Sequence, residues 1–177
     1  MEIVVKCCAG IDVHKENDLL RTIPGVEKTA ASAILAEIGT DMKRFPTPGH
    51  LSSWAGICPG NNESAGKRKS GKTCKGNVWL RRALTQAAWA ASHTKQTYLS
   101  AHYHRLAARR GRKRAIIAVG HTILVSAYHV LSKAAPYQDL GSDYFDRTKS
   151  VELRRYYTKR LEKLGYSVNL QPLQEAA

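Results

Sequence analysis

The run from Ala115 to Leu131, AIIAVGHTILVSAYHVL, restricts the possible folds more than any other stretch. It is apolar on most sides and must be covered, yet its 17 residues fall short of the roughly 20 that a bilayer span needs, and it carries His121 and His129. A buried central helix meets these constraints, with Pro136 marking its exit because a proline ring cannot continue a helix. Such a helix needs neighbours. Residues 77–95 are rich in alanine, the best helix former, and set Leu80, Leu84, Ala88 and Ala91 on one stripe whose small residues suit close approach by another helix. Asn77 stands where its side chain can cap the first free N–H groups. Tyr98 to Arg110 gives another helix, and HLSSWAGI gives a short one with Leu51 and Trp54 spaced to bury on one side. A last helix runs from after Ser150 to Gly165 with Leu153, Tyr157, Leu161 and Leu164 on one face. The chain therefore reads as mainly α. The exception is residues 3–11, IVVKCCAGI, a short β-prone run followed by Asp12, and a lone strand of this kind needs a sheet from elsewhere.

Charge decides the class of partner. Lysine and arginine number 28 against 14 aspartates and glutamates, a net charge of +14, which points to a polyanion and most simply to nucleic acid. An anionic membrane surface would call for a basic amphipathic helix, whereas these cations cluster in loops. Residues 1–15 show no secretory pattern, so a cytoplasmic, nucleoid-associated setting is expected. The four cysteines, Cys7, Cys8, Cys58 and Cys74, form no C-x-x-C pair, which speaks against zinc and for a reduced compartment. Cys58 and Cys74 bracket a basic loop and read as simple thiols. His102 and His104, two apart on a helix, face away from each other and read as surface or DNA-facing groups.

That basic loop lies within Cys58 to Leu84. The turn pair Pro59-Gly60 opens it, Ser64, Ala65 and Gly66 follow, and then come Lys67, Arg68, Lys69, Lys72 and Lys75 with no acid among them. Gly76-Asn77 starts the next helix, with Arg81 and Arg82 in its first turns, and these two arginines read with the five loop cations as contacts to DNA. A serine hydroxyl thus sits in a cationic field ahead of a helix N-terminus that favours anions. Two readings stand: Ser64 as a nucleophile toward a phosphodiester, with cations steadying the developing charge, or a solvated basic tether whose Ser64 and Ser70 only add flexibility.

Residues 19–39, LLRTIPGVEKTAASAILAEIG, spell a helix-hairpin-helix: a short helix ending near Ile23, a hairpin at Pro24 and Gly25, and a second helix with Ala30, Ala33, Ile34 and Ile38 apolar. In that motif the hairpin amides and the second helix's N-terminus point at a DNA phosphate without reading bases, which assigns Pro24, Gly25, Val26, Lys28 and Thr29 to DNA. Glu27 stands where a second glycine is common. The alternative is a plain αα-hairpin packed in the core.

Together LRTIPGVEKTAASAILAEIG, FPTPGHLSSWAGICPG and ESAGKRKSGKTCKGNVWLRRAL resemble the insertion-sequence transposases of the IS-one-ten family, over about residues 18–135. That family joins a RuvC-like DEDD domain to a C-terminal serine-bearing transposase domain. The resemblance puts the family's nucleophile on Ser64, with Ser70-Gly71 as fallback. AGIDVHKE is similar to the first strand of the RuvC-like domain and puts Asp12 on the first acid of its quartet, implying Mg²⁺ held by Asp12 with other acids and a composite site shared with the serine. After Asn17 the chain passes almost directly to the hairpin motif, without the other three acids. The expected organisation is a strand remnant over 1–17, a helix-hairpin-helix and serine-bearing domain over 18–135, and a loop with a C-terminal helix over 136–177. The resemblance implies DNA and a guide RNA as partners, assembly with copies of itself or with full-length transposase, and no membrane. The expected protein is a shortened or internally deleted transposase, with a non-catalytic DNA-binding remnant as the rival.

Overall fold

The computed structural model describes residues 10–58, 62–70 and 73–171, and the chain divides into two units, residues 1–142 and 143–177. Among its described residues the first unit holds six α-helices: α1 (Gly10–Arg21), α2 (Lys28–Ile38), α3 (Pro48–Trp54), α4 (Val78–His93), α5 (Tyr98–Arg110) and α6 (Arg112–Lys133). A 3-10 turn, Met42–Arg44, precedes α3, and a hairpin of two short strands, β1 (Asn62–Ser64) and β2 (Lys67–Ser70), separates α3 from α4. The second unit holds α7 (Tyr144–Thr148) and α8 (Ser150–Lys163).

The apolar run does become the centre. α6 contacts α1, α3, α4, α5 and the 3-10 turn, and it buries Ala115, Ile116, Val119, Gly120, Ile123, Leu124, Ala127 and Val130. It is long and apolar enough by length and composition to cross a membrane, but those positions are taken up by other helices. Burying each Leu or Ile of this kind contributes about 1.5–3 kcal/mol relative to exposure. Gly120 lets α4 come close, since a Cβ there would lie 3.4 Å from the Leu84 carbonyl oxygen. α6 ends in Ala134 at φ 47°, a left-handed cap on a residue that is not glycine, just before Pro136.

The alanines of α4 have a specific use. Gly25, in the turn between α1 and α2, adopts φ 83°, and a Cβ there would sit 2.4 Å from both the Ala87 oxygen and the Ala91 nitrogen. The turn therefore rests directly on the α4 backbone, which only glycine on one side and alanine on the other permit. Leu80, Leu84, Ala88 and Ala91 are fully buried, as the stripe requires, and Asn77 caps α4 by accepting the Leu80 N–H at 3.0 Å.

Two expectations need correction. Gly10, Ile11 and Asp12 belong to α1, so the expected N-terminal strand cannot reach them; its residues 3–9 lie outside the described residues. Asn17 and Leu20, one turn apart, are buried, with Asn17 bonded to the Ser32 hydroxyl at 2.7 Å, and this packing on α2 favours helix over a strand with no partner. Trp54 is 46% exposed, tilted against Phe45 at 5.6 Å, while Leu51 and Ser52 take the inner face of α3.

Residues 136–142 go with the first unit. The Tyr137 N–H donates to the Thr22 hydroxyl at 2.8 Å, and the Tyr98 N–H donates to Asp139 at 3.0 Å. In the second unit α8 follows the sequence reading, but it buries none of its residues.

Candidate nucleic-acid interface around the Ser64 hairpin

The basic loop folds as an arm. Ala65 and Gly66 both have positive φ, 50° and 72°, the pairing that closes a two-residue hairpin with the natural strand twist. The register sets Ser64 opposite Lys67, Glu63 opposite Arg68 and Asn62 opposite Ser70, with an irregularity between Asn62 and Glu63. Ser64, Ala65, Gly66 and Lys67 are exposed at its tip. The side chains of Arg68 and Lys69, and all of Lys72, lie outside the described residues.

The arm is held at its base by backbone contact. Gly56, at φ 65°, meets Gly76 so closely that a Cβ on Gly56 would lie 2.7 Å from the Gly76 Cα, and one on Gly76 would lie 2.4 Å from the Ala55 oxygen. Across this crossing reaches Arg81 from the first turn of α4. Its Nη2 donates to the Gly56 carbonyl and, at 2.7 Å, to the Cys74 carbonyl. Asn77 adds a tie to α2, its amide donating to the Glu37 carboxylate at 2.5 Å. The first turn of α4 thus fixes both stems of the arm. Arg81, read from sequence as a DNA contact, gives one guanidinium nitrogen to this clamp, whereas Arg82 and Lys75 are exposed.

In the α1–α2 turn, Lys28 and Thr29 are exposed and Pro24 is half-buried. Val26 is 2% exposed and its N–H donates to the Ile23 carbonyl at 3.0 Å, so it serves as an apolar anchor with its amide already used. Glu27 occupies the N-cap of α2 without a side-chain bond, leaving that helix's first amides uncapped by a side chain.

A second basic surface lies at the α5–α6 corner, which turns on Gly111 at φ 84°. Arg109 and Arg110 end α5, and Arg112, Lys113 and Arg114 begin α6 with no acid in its first turn and no side-chain cap. Cations at a helix start oppose its dipole by about 0.3–1 kcal/mol each, a cost that a bound anion would reverse.

Sequence reasoning missed an exposed stripe on α4. Trp79 and Trp89 are 67% and 56% exposed, and Arg82, Gln86 and His93 share that face. The signal was available: at 100° per residue these positions lie opposite the buried stripe. Trp89 is steadied by His93, whose ring lies 4.6 Å from it. His102 corrects another reading. It is half-buried and stacked on Tyr98 at 5.7 Å, and its pKa is lowered by burial first and then by the neighbouring His121. His121 is lowered by burial alone.

Among the described residues the Mg²⁺ implied by the resemblance finds no fitting donor set. Asp12 stands on α1 with its side chain outside the described residues, and among the described residues no three His, Cys, Asp or Glu gather to hold a metal. Acids that could have contributed are engaged locally: Asp41 accepts the Lys43 N–H, Asp139 those of Tyr98 and Gly141, and Asp143 pairs with Arg147 at 2.9 Å.

The fold and this surface define a helical, strongly basic domain with a hydroxyl-bearing arm. Residues 17–104 match the model described as the transposase IS116/IS110/IS902 family, and the chain belongs to that family through this domain. It is 34% identical to an insertion element IS110 uncharacterized 43.6 kDa protein of Streptomyces coelicolor over 93 residues, 50% of this chain and 22% of that protein. It is 28% and 30% identical to pilin gene-inverting proteins of Moraxella bovis and Moraxella lacunata over 129 residues, 71% of this chain and 40% of each. The chain therefore spans less than half the length of these relatives.

Proposed function

We propose that this chain engages DNA in transposition or recombination and that Ser64 attacks a phosphodiester to form a phosphoserine link. One observation carries the reading: an exposed serine at the tip of a cationic hairpin whose base is fixed by Gly56, Gly76 and Arg81. A hydroxyl is a weak nucleophile, and it gains from positive charge held where the phosphorane develops. Lys67 stands across the hairpin from Ser64, and Arg68 and Lys69 follow on the same strand. The attack would form the Ser64 Oγ–phosphorus bond and release a deoxyribose hydroxyl, conserving one high-energy linkage for the reverse step.

The α1–α2 turn is read as a helix-hairpin-helix whose phosphate contact comes from the first amides of α2 beside Lys28 and Thr29, because Gly25 is packed on α4 and the Val26 amide is used. The α5–α6 corner lengthens the basic track, and the relatives' names as insertion-element and gene-inverting proteins agree with a DNA substrate. Guide RNA, assembly with a full-length transposase and a nucleoid location belong to the same proposal. To test the serine, strand transfer is measured for Ser64→Ala placed in a full-length family context: DNA binding should persist while the covalent intermediate disappears. Unchanged strand transfer removes Ser64 from the mechanism.

A second reading has its own support, since this chain supplies one carboxylate of the implied quartet. As a binding remnant it would compete with complete transposases at their DNA. Incubating the purified chain with end-containing DNA and Mg²⁺ separates the two, as the remnant yields no cleavage with or without Ser64.

A further inference from the structure

One cysteine stands on each side of the Ser64 hairpin, Cys58 before it and Cys74 after it. Gly56 meets Gly76 at the base, and Asn62 pairs with Ser70 nearer the tip. Six residue steps separate these points on each side, so a pairing continued from one to the other would set Cys58, two residues after Gly56, opposite Cys74, two residues before Gly76. The Cys74 carbonyl also shares the Arg81 guanidinium with the Gly56 carbonyl, which keeps this end of the stems closed. Directly opposed residues of an antiparallel pair have Cα atoms about 4.5–5.5 Å apart, inside the roughly 4.4–6.8 Å that a disulfide bridges. Both thiols are free.

We propose that Cys58 and Cys74 form a cross-strand thiol pair that closes to a disulfide at the neck of the serine-bearing arm, with a low-molecular-weight disulfide such as oxidised glutathione as the oxidant. Cys74 is exposed and Cys58 half-buried, so Cys74 is the point of entry. Its thiolate attacks one glutathione sulfur, forming a mixed disulfide and releasing one glutathione thiolate. Cys58 then loses its proton and attacks the Cys74 sulfur, releasing the second glutathione. The protein loses two electrons and two protons, and the oxidant becomes two thiols. Burial, and then the neighbouring Cys74, push the Cys58 thiol up, in keeping with a resolving rather than an attacking role. In a reducing cell the pair rests as a dithiol and closes only under oxidative load. The closed bond would hold the stems together without Arg81.

The intact chain is equilibrated in glutathione buffers of rising oxidised fraction, quenched with acid, and mapped by non-reducing digestion and mass spectrometry. The expected product is one peptide pair joining Cys58 to Cys74, lighter by two hydrogens, with no glutathione retained. Cys58→Ser should leave a persistent glutathione adduct on Cys74, and in Cys74→Ser the adduct on Cys58 should form more slowly than the Cys74 adduct does in Cys58→Ser, because Cys58 is the less accessible thiol. Adducts that persist on both cysteines of the unaltered chain, or a cross-link that runs instead to Cys7 or Cys8, overturn the pairing. The outcome does not depend on whether Ser64 is a nucleophile.

Discussion

Replacing Arg81 with methionine separates a clamp from a DNA contact, since methionine keeps much of the side chain's apolar stem and removes every donor. The guanidinium serves two carbonyls, Gly56 and Cys74, one on each stem of the arm. Hydrogen bonds to charged donors contribute about 1.5–3 kcal/mol each, but water can replace the donor at exposed Cys74 and much less at buried Gly56, so the combined loss is about 2–3 kcal/mol. At about 3 °C per kcal/mol for a domain of this size, Arg81→Met should lower the melting temperature by ~6–9 °C if the arm unfolds with the core. If the arm opens separately, the change appears as faster tryptic cleavage at Lys67 and Lys75 with little change in melting. The salt dependence of DNA affinity supplies the contrast. Removing one cation from a phosphate reduces the slope of log K against log salt by about 0.9, so Arg82→Ala should flatten it by that amount. Arg81→Met should weaken binding without changing the slope. Unaltered melting and proteolysis together with a flattened slope for Arg81→Met would refute the clamp and return Arg81 to the DNA surface.

Gly25→Ala should destabilise the first unit by about 3 kcal/mol or more, read by urea unfolding, because the new Cβ meets the Ala87 and Ala91 backbone and the residue is at positive φ. A loss below about 1 kcal/mol would show that the turn does not rest on α4. Ala134→Gly should raise stability by about 0.5–1 kcal/mol by relieving the left-handed cap of α6, and a loss would contradict that cap. Histidines at 102 and 121 have lowered pKa values in the fold, so both states are neutral well above about pH 6.5 and stability is complete there. As pH falls below that value the unfolded chain takes up protons first and stability drops. His102→Gln should reduce this acid sensitivity below about pH 6.5, and an unchanged pH profile of the melting temperature would count against it.

The helices were legible because their signals are local or periodic. Asn77 as a cap, the Leu80 stripe and the start of α5 at Tyr98 follow from rules that act within a few residues. What escaped depends on contacts between distant positions. Trp54 looked ready to bury beside Leu51, but Phe45 covers only part of it. His102 looked exposed because its neighbour His121 is on the next helix. The basic loop showed its charge but not its hairpin, since alternation over such short strands is weak and Ala65 is an unusual occupant of a positive-φ position.

The same limit explains how the cations divide. A sequence counts Arg81 and Arg82 alike, and one turn of helix gives them unlike neighbours: two carbonyls for the first and solvent for the second. Among the described residues from Cys58 to Lys75 the arm buries no side chain, so its position is set at its base. There the two glycines permit backbone contact, Asn77 ties α4 to α2, and Arg81 spans both stems. Chemistry at the tip would then be set by residues that never touch DNA, and substitutions at Gly56 or Gly76 should displace Ser64 together with the arm's own cations while leaving those of the α5–α6 corner in place.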